Sequence, residues 1–206
     1  MSKAAFHGLV TSISTSSRTA HMLTLVELEI LLEDCKNGNR LSQKRIYHHF
    51  YSLGMSVSMR YAQSQEEAQE ICHDGFIKAF AKINDCAGVG SFKAWLRQIF
   101  VRSAIDYFRK YRQNKPKMDD LAVAQHLATP CVAVEYLSIE EKMALVQQLP
   151  PSYRMAFNLY AIEGYSTVEI AKLLEIAEGT VRANLVKARL RLKTLIEESN
   201  KISPRR

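Results

Sequence analysis

Between positions 182 and 191 the chain carries Arg182, Asn184, Lys187, Arg189 and Arg191. Side chains of these types bind nucleic acid in two ways. Arginine makes paired hydrogen bonds to a guanine edge and asparagine to an adenine edge, which reads sequence. Other cations neutralise phosphates, which sets register. Arg182 and Asn184, next to Thr180, come early enough to suit base edges, and Lys187, Arg189 and Arg191 suit phosphates. A second set lies upstream, where Phe92, Trp95, Phe100, Tyr107, Phe108 and Tyr111 interleave with Lys93, Arg97, Arg102, Arg109, Lys110 and Arg112. Aromatic faces beside cations suit unstacked bases, because stacking tolerates any base and the backbone needs neutralising. Trp95, Ile99 and Phe108 are expected to line the core instead.

The elements that must hold the first set are a short helix, a turn and a longer basic helix. Ser166 and Glu169 have the spacing of a capping box, and Ile170, Leu173 and Leu174 follow on one helical face. A second helix opens at Thr180-Val181, with Val181, Leu185, Ala188, Leu192 and Leu195 as its apolar set. That arrangement predicts a helix-turn-helix whose second helix enters the major groove. A helical hairpin with a solvated basic face is the alternative for this stretch alone. Around the second set, Ser64 with Glu67 caps a helix whose inner face is Ala68, Ile71, Cys72, Phe76, Ala79 and Phe80. Asn84 to Gly90 reads as a loop, and Ser91 as the cap of a long helix from Phe92 to about Gln113.

The rest of the chain supports an all-α fold of two small helical domains joined by a flexible linker. Positions 1–22 form an extension without the apolar run of a signal peptide. The first domain spans 23–113, with helices predicted over 23–36 and 41–62; Gly54 weakens the second locally. A linker covers 114–135, with a short helix near 120–127. The second domain spans 136–198, with helices from Val134 to Leu149 and from Tyr153 to Ile162, the latter closed by Gly164. A frayed basic tail occupies 199–206.

The net charge of +7 favours a polyanionic partner. Acids crowd the first part, and bases cluster at 93–117 and 182–206. The four cysteines are widely spaced, without a C-x-x-C pair, so neither a zinc ribbon nor a disulfide framework is expected. Reduced thiols in a cytosolic protein are the simplest reading. His48-His49 and Cys72-His73-Asp74 are adjacent residues that diverge around a helix, so no metal site is expected. There is no phosphate-binding loop, nucleophile elbow or run of membrane-spanning length. Neither a catalytic residue nor a cofactor is assigned, and no direct membrane insertion is expected.

Taken in order, these motifs resemble a bacterial extracytoplasmic-function sigma factor over nearly all of 23–198. Ala68–Phe80 resembles region 2.2, which docks on the β′ clamp helices of RNA polymerase. The resemblance implies polymerase contacts by Glu70, His73, Asp74, Phe76 and Lys78. Ser91–Leu96 and Ile105–Lys110 resemble regions 2.3 and 2.4, which open and read the minus-ten element. That implies roles there for Phe92, Lys93, Arg97, Arg102, Asp106, Arg109 and Lys110, with Asp85–Ser91 resembling the base-capturing loop. Leu149-Pro150-Pro151, Arg154, Phe157–Tyr160, Glu163–Ser166, Glu169-Ile170-Ala171 and Glu178–Arg182 resemble region 4, which reads the minus-thirty-five element. Departures are Glu70 and His73 for the usual Asp and Gln, Arg102 for a common Asn, Glu175 for a turn Gly, and Ala177 for a capping Ser.

The implied function is promoter recognition, minus-ten melting and transcription initiation with core RNA polymerase and promoter DNA, without enzymatic chemistry. An anti-sigma factor is the implied regulator, and the implied place is the cytoplasm, at the membrane only through that partner. A free-standing helix-turn-helix regulator of operator DNA is the competing reading. It explains the second domain but neither the aromatic-basic helix nor the acidic helix before it. An adaptor whose basic helices bind an acidic protein is the remaining class.

Overall fold

In the computed structural model, which describes residues 23–113 and 139–202, every regular element is helical. The helices are α1 (Leu25–Lys36), α2 (Arg40–Met59), α3 (Gln65–Ala81), a 3-10 turn (Ile83–Asp85), α4 (Val89–Gln113), α5 (Ile139–Gln147), α6 (Pro151–Ala161), α7 (Thr167–Leu174) and α8 (Glu178–Ile202). The 1–22 extension, the 114–135 linker with its short helix, Cys131 and the start expected at Val134 lie outside the described residues. The described chain divides into two units, residues up to 59 with 64–104, and 60–63 with those from 105 onward.

In the first unit, local chemistry sets each helix start. Thr24 accepts from the Glu27 amide at 3.2 Å while the Glu27 carboxylate accepts from the Thr24 amide at 2.9 Å, a complete capping box. Gly38, at φ 80, ends the turn after α1. Asn39 then accepts from the amides of Leu41 and Ser42, satisfying free donors at the start of α2. Ser64 caps α3 as expected, accepting from the Glu67 amide at 3.3 Å. Helix α4 begins at Val89, earlier than expected. Ser91 therefore lies inside it, and its hydroxyl donates to the Gly88 carbonyl instead of capping the helix. Gly88, at φ 137, lets the chain enter α4 that early.

The core of this unit is aromatic. Phe76 of α3 packs against Tyr47 of α2, with ring centroids 4.7 Å apart, and edge-on against Phe100 of α4 at 5.1 Å. Phe50 meets Phe92 edge-on at 5.1 Å. Such offset and edge contacts add to the burial of large apolar area.

The second unit contains the predicted helix-turn-helix. Pro151 starts α6, where a missing amide costs nothing, and Gly164, at φ 78, follows its end. Arg154, 2% exposed, donates to the Gln147 carbonyl at 2.8 Å and so satisfies an acceptor at the end of α5. Val146 and Leu149 pack with Ala188, and Tyr153, Phe157 and Leu192 close over them. Helix α8 runs on to Ile202, so the tail expected from Ser199 begins as helix.

Candidate nucleic-acid interface

The recognition hairpin is held by side chains at both of its starts. Ser166 and Glu169 form the expected box: Ser166 accepts from the Glu169 amide at 3.3 Å, and the carboxylate accepts from the Ser166 amide at 2.8 Å. These bonds hold the Glu169 carboxyl below the ordinary carboxylate range. Ile170 and Leu174 are buried. Residues 175–177 make the turn, with Glu175 left-handed at φ 54 and ψ 48, the one non-glycine with positive φ among the described residues. Helix α8 opens at Glu178, ahead of the Thr180 expected from its apolar pattern. The Ala177 carbonyl accepts from the amides of Thr180 and Val181, but its side chain offers no cap.

Arg182 is the most exposed of the early α8 positions assigned to base edges, with 68% of its side chain accessible. Its Nη2 donates to Glu178 Oε1 at 2.7 Å. Thr180 is half-buried. Asn184 departs from expectation. It is only 9% exposed, because it lies three residues after Val181 and four before Ala188, on the packed side of α8. It is therefore not placed beside Arg182 for base reading.

Arg189 and Arg191 are exposed and Lys187 is half-buried. Lys187 Nζ lies 5.7 Å from the centroid of the Tyr153 ring, and the Arg189 guanidinium 5.7 Å from that of Tyr160. Both cationic groups thus sit over tyrosine rings of α6.

On α4, Gln98, Arg102, Asp106 and Lys110 are exposed at four-residue intervals, forming one stripe. Arg109 is half-buried, with Nη1 3.9 Å from Asp106 Oδ1. Lys93 is exposed and Arg97 half-buried, one turn apart. Phe92 is not on this surface. At 1% exposure it is core, so it cannot stack on a base without unpacking Phe50. Phe100 is equally buried. Trp95, expected in the core, remains half-buried three residues before Gln98, on the exposed stripe, whereas Ile99 and Phe108 are buried as expected. Tyr107 and Tyr111 are also half-buried.

On α3, Glu70 is exposed and His73, Asp74 and Lys78 are half-buried along one helical face. Phe76 is fully buried between Tyr47 and Phe100, which corrects its assignment to a polymerase contact. Among the described residues, no cluster of three His, Cys, Asp or Glu side chains could hold a metal ion.

Two family models match the chain, Sigma-70 region 2 over residues 46–114 and Sigma-70, region 4 over residues 140–192. The RNA polymerase sigma-H factor of Pseudomonas aeruginosa is 25% identical over 179 residues, covering 82% of this chain and 93% of that protein. The ECF RNA polymerase sigma-E factor of Escherichia coli K12 is 25% identical over 172 residues, covering 78% and 90%. Among solved structures, the sigma factor RpoE in complex with the anti-sigma factor NepR, from Bartonella quintana, has a TM-score of 0.44 at 21% identity, covering 75% and 96%. CnrH in complex with the cytosolic domain of CnrY has a TM-score of 0.42 at 18% identity, covering 82% and 97%.

Proposed function

The chain belongs to the extracytoplasmic-function sigma factors, the non-enzymatic subunits that direct promoter-specific transcription initiation, and from that premise we propose how its side chains divide the task. Arg182 reads a base edge in the minus-thirty-five element, favouring guanine. Lys187, Arg189 and Arg191 hold phosphates and fix register. Along α4, Trp95, Arg102, Asp106 and Lys110 face the minus-ten element, where stacking and charge offset the cost of separating strands. Lys93 and Arg97 guide the strand into that face, with Arg109 at its edge. Glu70, His73, Asp74 and Lys78 form the polymerase-docking face of α3.

The exposure of Arg182 near the start of α8 is the observation that supports this reading of the upstream element. The free-standing regulator finds no support, since the region 2 match, over residues 46–114, falls on the part of the chain that it leaves unexplained. Sigma factors of this group are commonly held by anti-sigma factors, and we assign this chain a partner of that kind in the cytoplasm. No helix among the described residues is long and apolar enough to cross a membrane.

Run-off transcription with core polymerase tests the division. Arg182→Ala relaxes preference at one upstream base pair, on the order of 1–3 kcal/mol, and Lys187→Ala weakens all promoters alike. Equal losses for Arg182→Ala on matched and mismatched promoters would remove its reading role.

A further inference from the structure

Glu178 was assigned no role of its own from the sequence, yet its carboxylate joins the two helices of the recognition hairpin. One of its oxygens, Oε1, accepts from Thr167 Oγ1 at 2.7 Å and from Arg182 Nη2 at 2.7 Å. Thr167 is the first residue of α7 and Arg182 belongs to α8, so one carboxylate ties the reading side chain to the neighbouring helix. We infer that Glu178 is a positioning residue for Arg182, fixing the direction of its guanidinium and so setting base preference where Arg182 reads.

This rests on the base-reading role of Arg182. A long exposed arginine has many rotamers, and ordering it opposes binding. A planar guanidinium held through one nitrogen points its other donors in a single direction, which suits a two-point contact with guanine. The cost of ordering is then met before DNA arrives. The two hydrogen bonds hold the Glu178 carboxyl below the ordinary carboxylate range, which keeps the acceptor charged near neutrality.

A simpler role predicts something else. An acidic residue at a helix start stabilises the helix through its dipole, and a negative charge near DNA weakens binding to every sequence. Neither effect selects a base.

The test uses the full chain with core polymerase and a promoter panel varied one base pair at a time across the upstream element. Arg182→Ala identifies the base pair concerned. Glu178→Ala is expected to lower preference there about fivefold, the order of a modest pairwise coupling, and to leave other positions unchanged. Glu178→Gln, whose side-chain carbonyl can still accept from Thr167 and Arg182, retains most of the preference. Both variants bind non-specific DNA more tightly than the parent, since a negative charge has gone. In an Arg182→Ala background, Glu178→Ala has no further effect on preference. Unchanged preference in Glu178→Ala, or an equal fall in the Arg182→Ala background, would overturn the proposal alone. If Arg182→Ala alters preference at no position, the base-reading role fails and this proposal with it. Thr167→Val removes the second anchor while leaving Glu178 and Arg182 in place, and a smaller loss at the same base pair is expected. Should Glu178→Ala not fold, unchanged preference in Thr167→Val would be decisive against the proposal.

Discussion

Gly75 of α3 lies so close to Phe100 of α4 that a Cβ at residue 75 would overlap the phenyl ring. A Cβ at Gly54 of α2 would fall 2.7 Å from Cys72 Sγ and 2.8 Å from Phe100 Cζ. Two glycines thus let α2 and α3 close around one buried ring of α4.

Gly75→Ala is expected to destabilise the first unit. Overpacking costs about 1–3 kcal/mol, against roughly 1 kcal/mol recovered from the better helix propensity of alanine. Gly54→Ala behaves alike, because Cys72 and Phe100 are both buried. Gly90→Ala, in the first turn of α4 with open space around it, is the control and loses no stability. Thermal denaturation of the three variants decides this, and a Gly75→Ala chain as stable as the parent would show that Phe100 moves aside freely.

Glu175→Gly should stabilise the second unit by about 1 kcal/mol, since it replaces the left-handed glutamate with the residue that adopts that conformation without steric cost. Denaturant midpoints at unchanged slope measure it. A lower midpoint would mean that the Glu175 side chain contributes more than its backbone costs.

Burial pushes the Cys35 and Cys72 thiols up to about 12, with the Asp34 charge adding to the effect at Cys35. Both therefore stay protonated at neutral pH and should react with an alkylating reagent only when the first unit opens. Site-resolved mass spectrometry after brief alkylation, with and without denaturant, measures this. Rapid labelling of Cys72 in the native chain would contradict its burial.

The folded pKa values of Glu169 and Glu178 lie below their unfolded values, so the stability they contribute is present above the ordinary value of 4.5. It is lost as pH falls through the depressed folded values, when both hydrogen-bonded carboxylates take up protons. The melting temperature of the second unit should hold steady from neutrality to about pH 5 and then decline. Glu169→Gln should flatten part of that decline. Glu169 is exposed and Glu178 only half-buried, so solvent screens both carboxylates and the change is modest.

The helices and most of their boundaries were legible because capping and turn residues act locally. Ser64, Ser166 and Gly164 each do in the structure what their types and neighbours imply. The start of α4 is not legible in the same way: Ser91 has the type of a cap residue, but the positive φ of Gly88 allows the helix to begin at Val89. Facing was the weaker inference. Phe92, Phe76 and Asn184 were assigned to surfaces from residue type and motif position, yet all three are buried. Trp95 went the other way. A long helix packed on more than one side breaks the simple rule that one face is apolar, and nothing local in the sequence signals it. Gly54 shows the same limit: it weakened the helix expectation, but its function is close approach, which depends on a ring far along the chain.

The capping box of α7 has a consequence for the hold on DNA. Helix starts commonly offer free amides to a phosphate, but here Ser166 and Glu169 occupy each other's amides, and the nearby charge is negative. Two of the four amides at the start of α7 are thus taken, and the Glu169 charge beside the other two disfavours a phosphate there. On the division of roles proposed above, attachment to the upstream element falls to Lys187, Arg189 and Arg191, each displacing ions that return when salt rises. The ionic strength of the surroundings thus sets how firmly this half of the promoter is held.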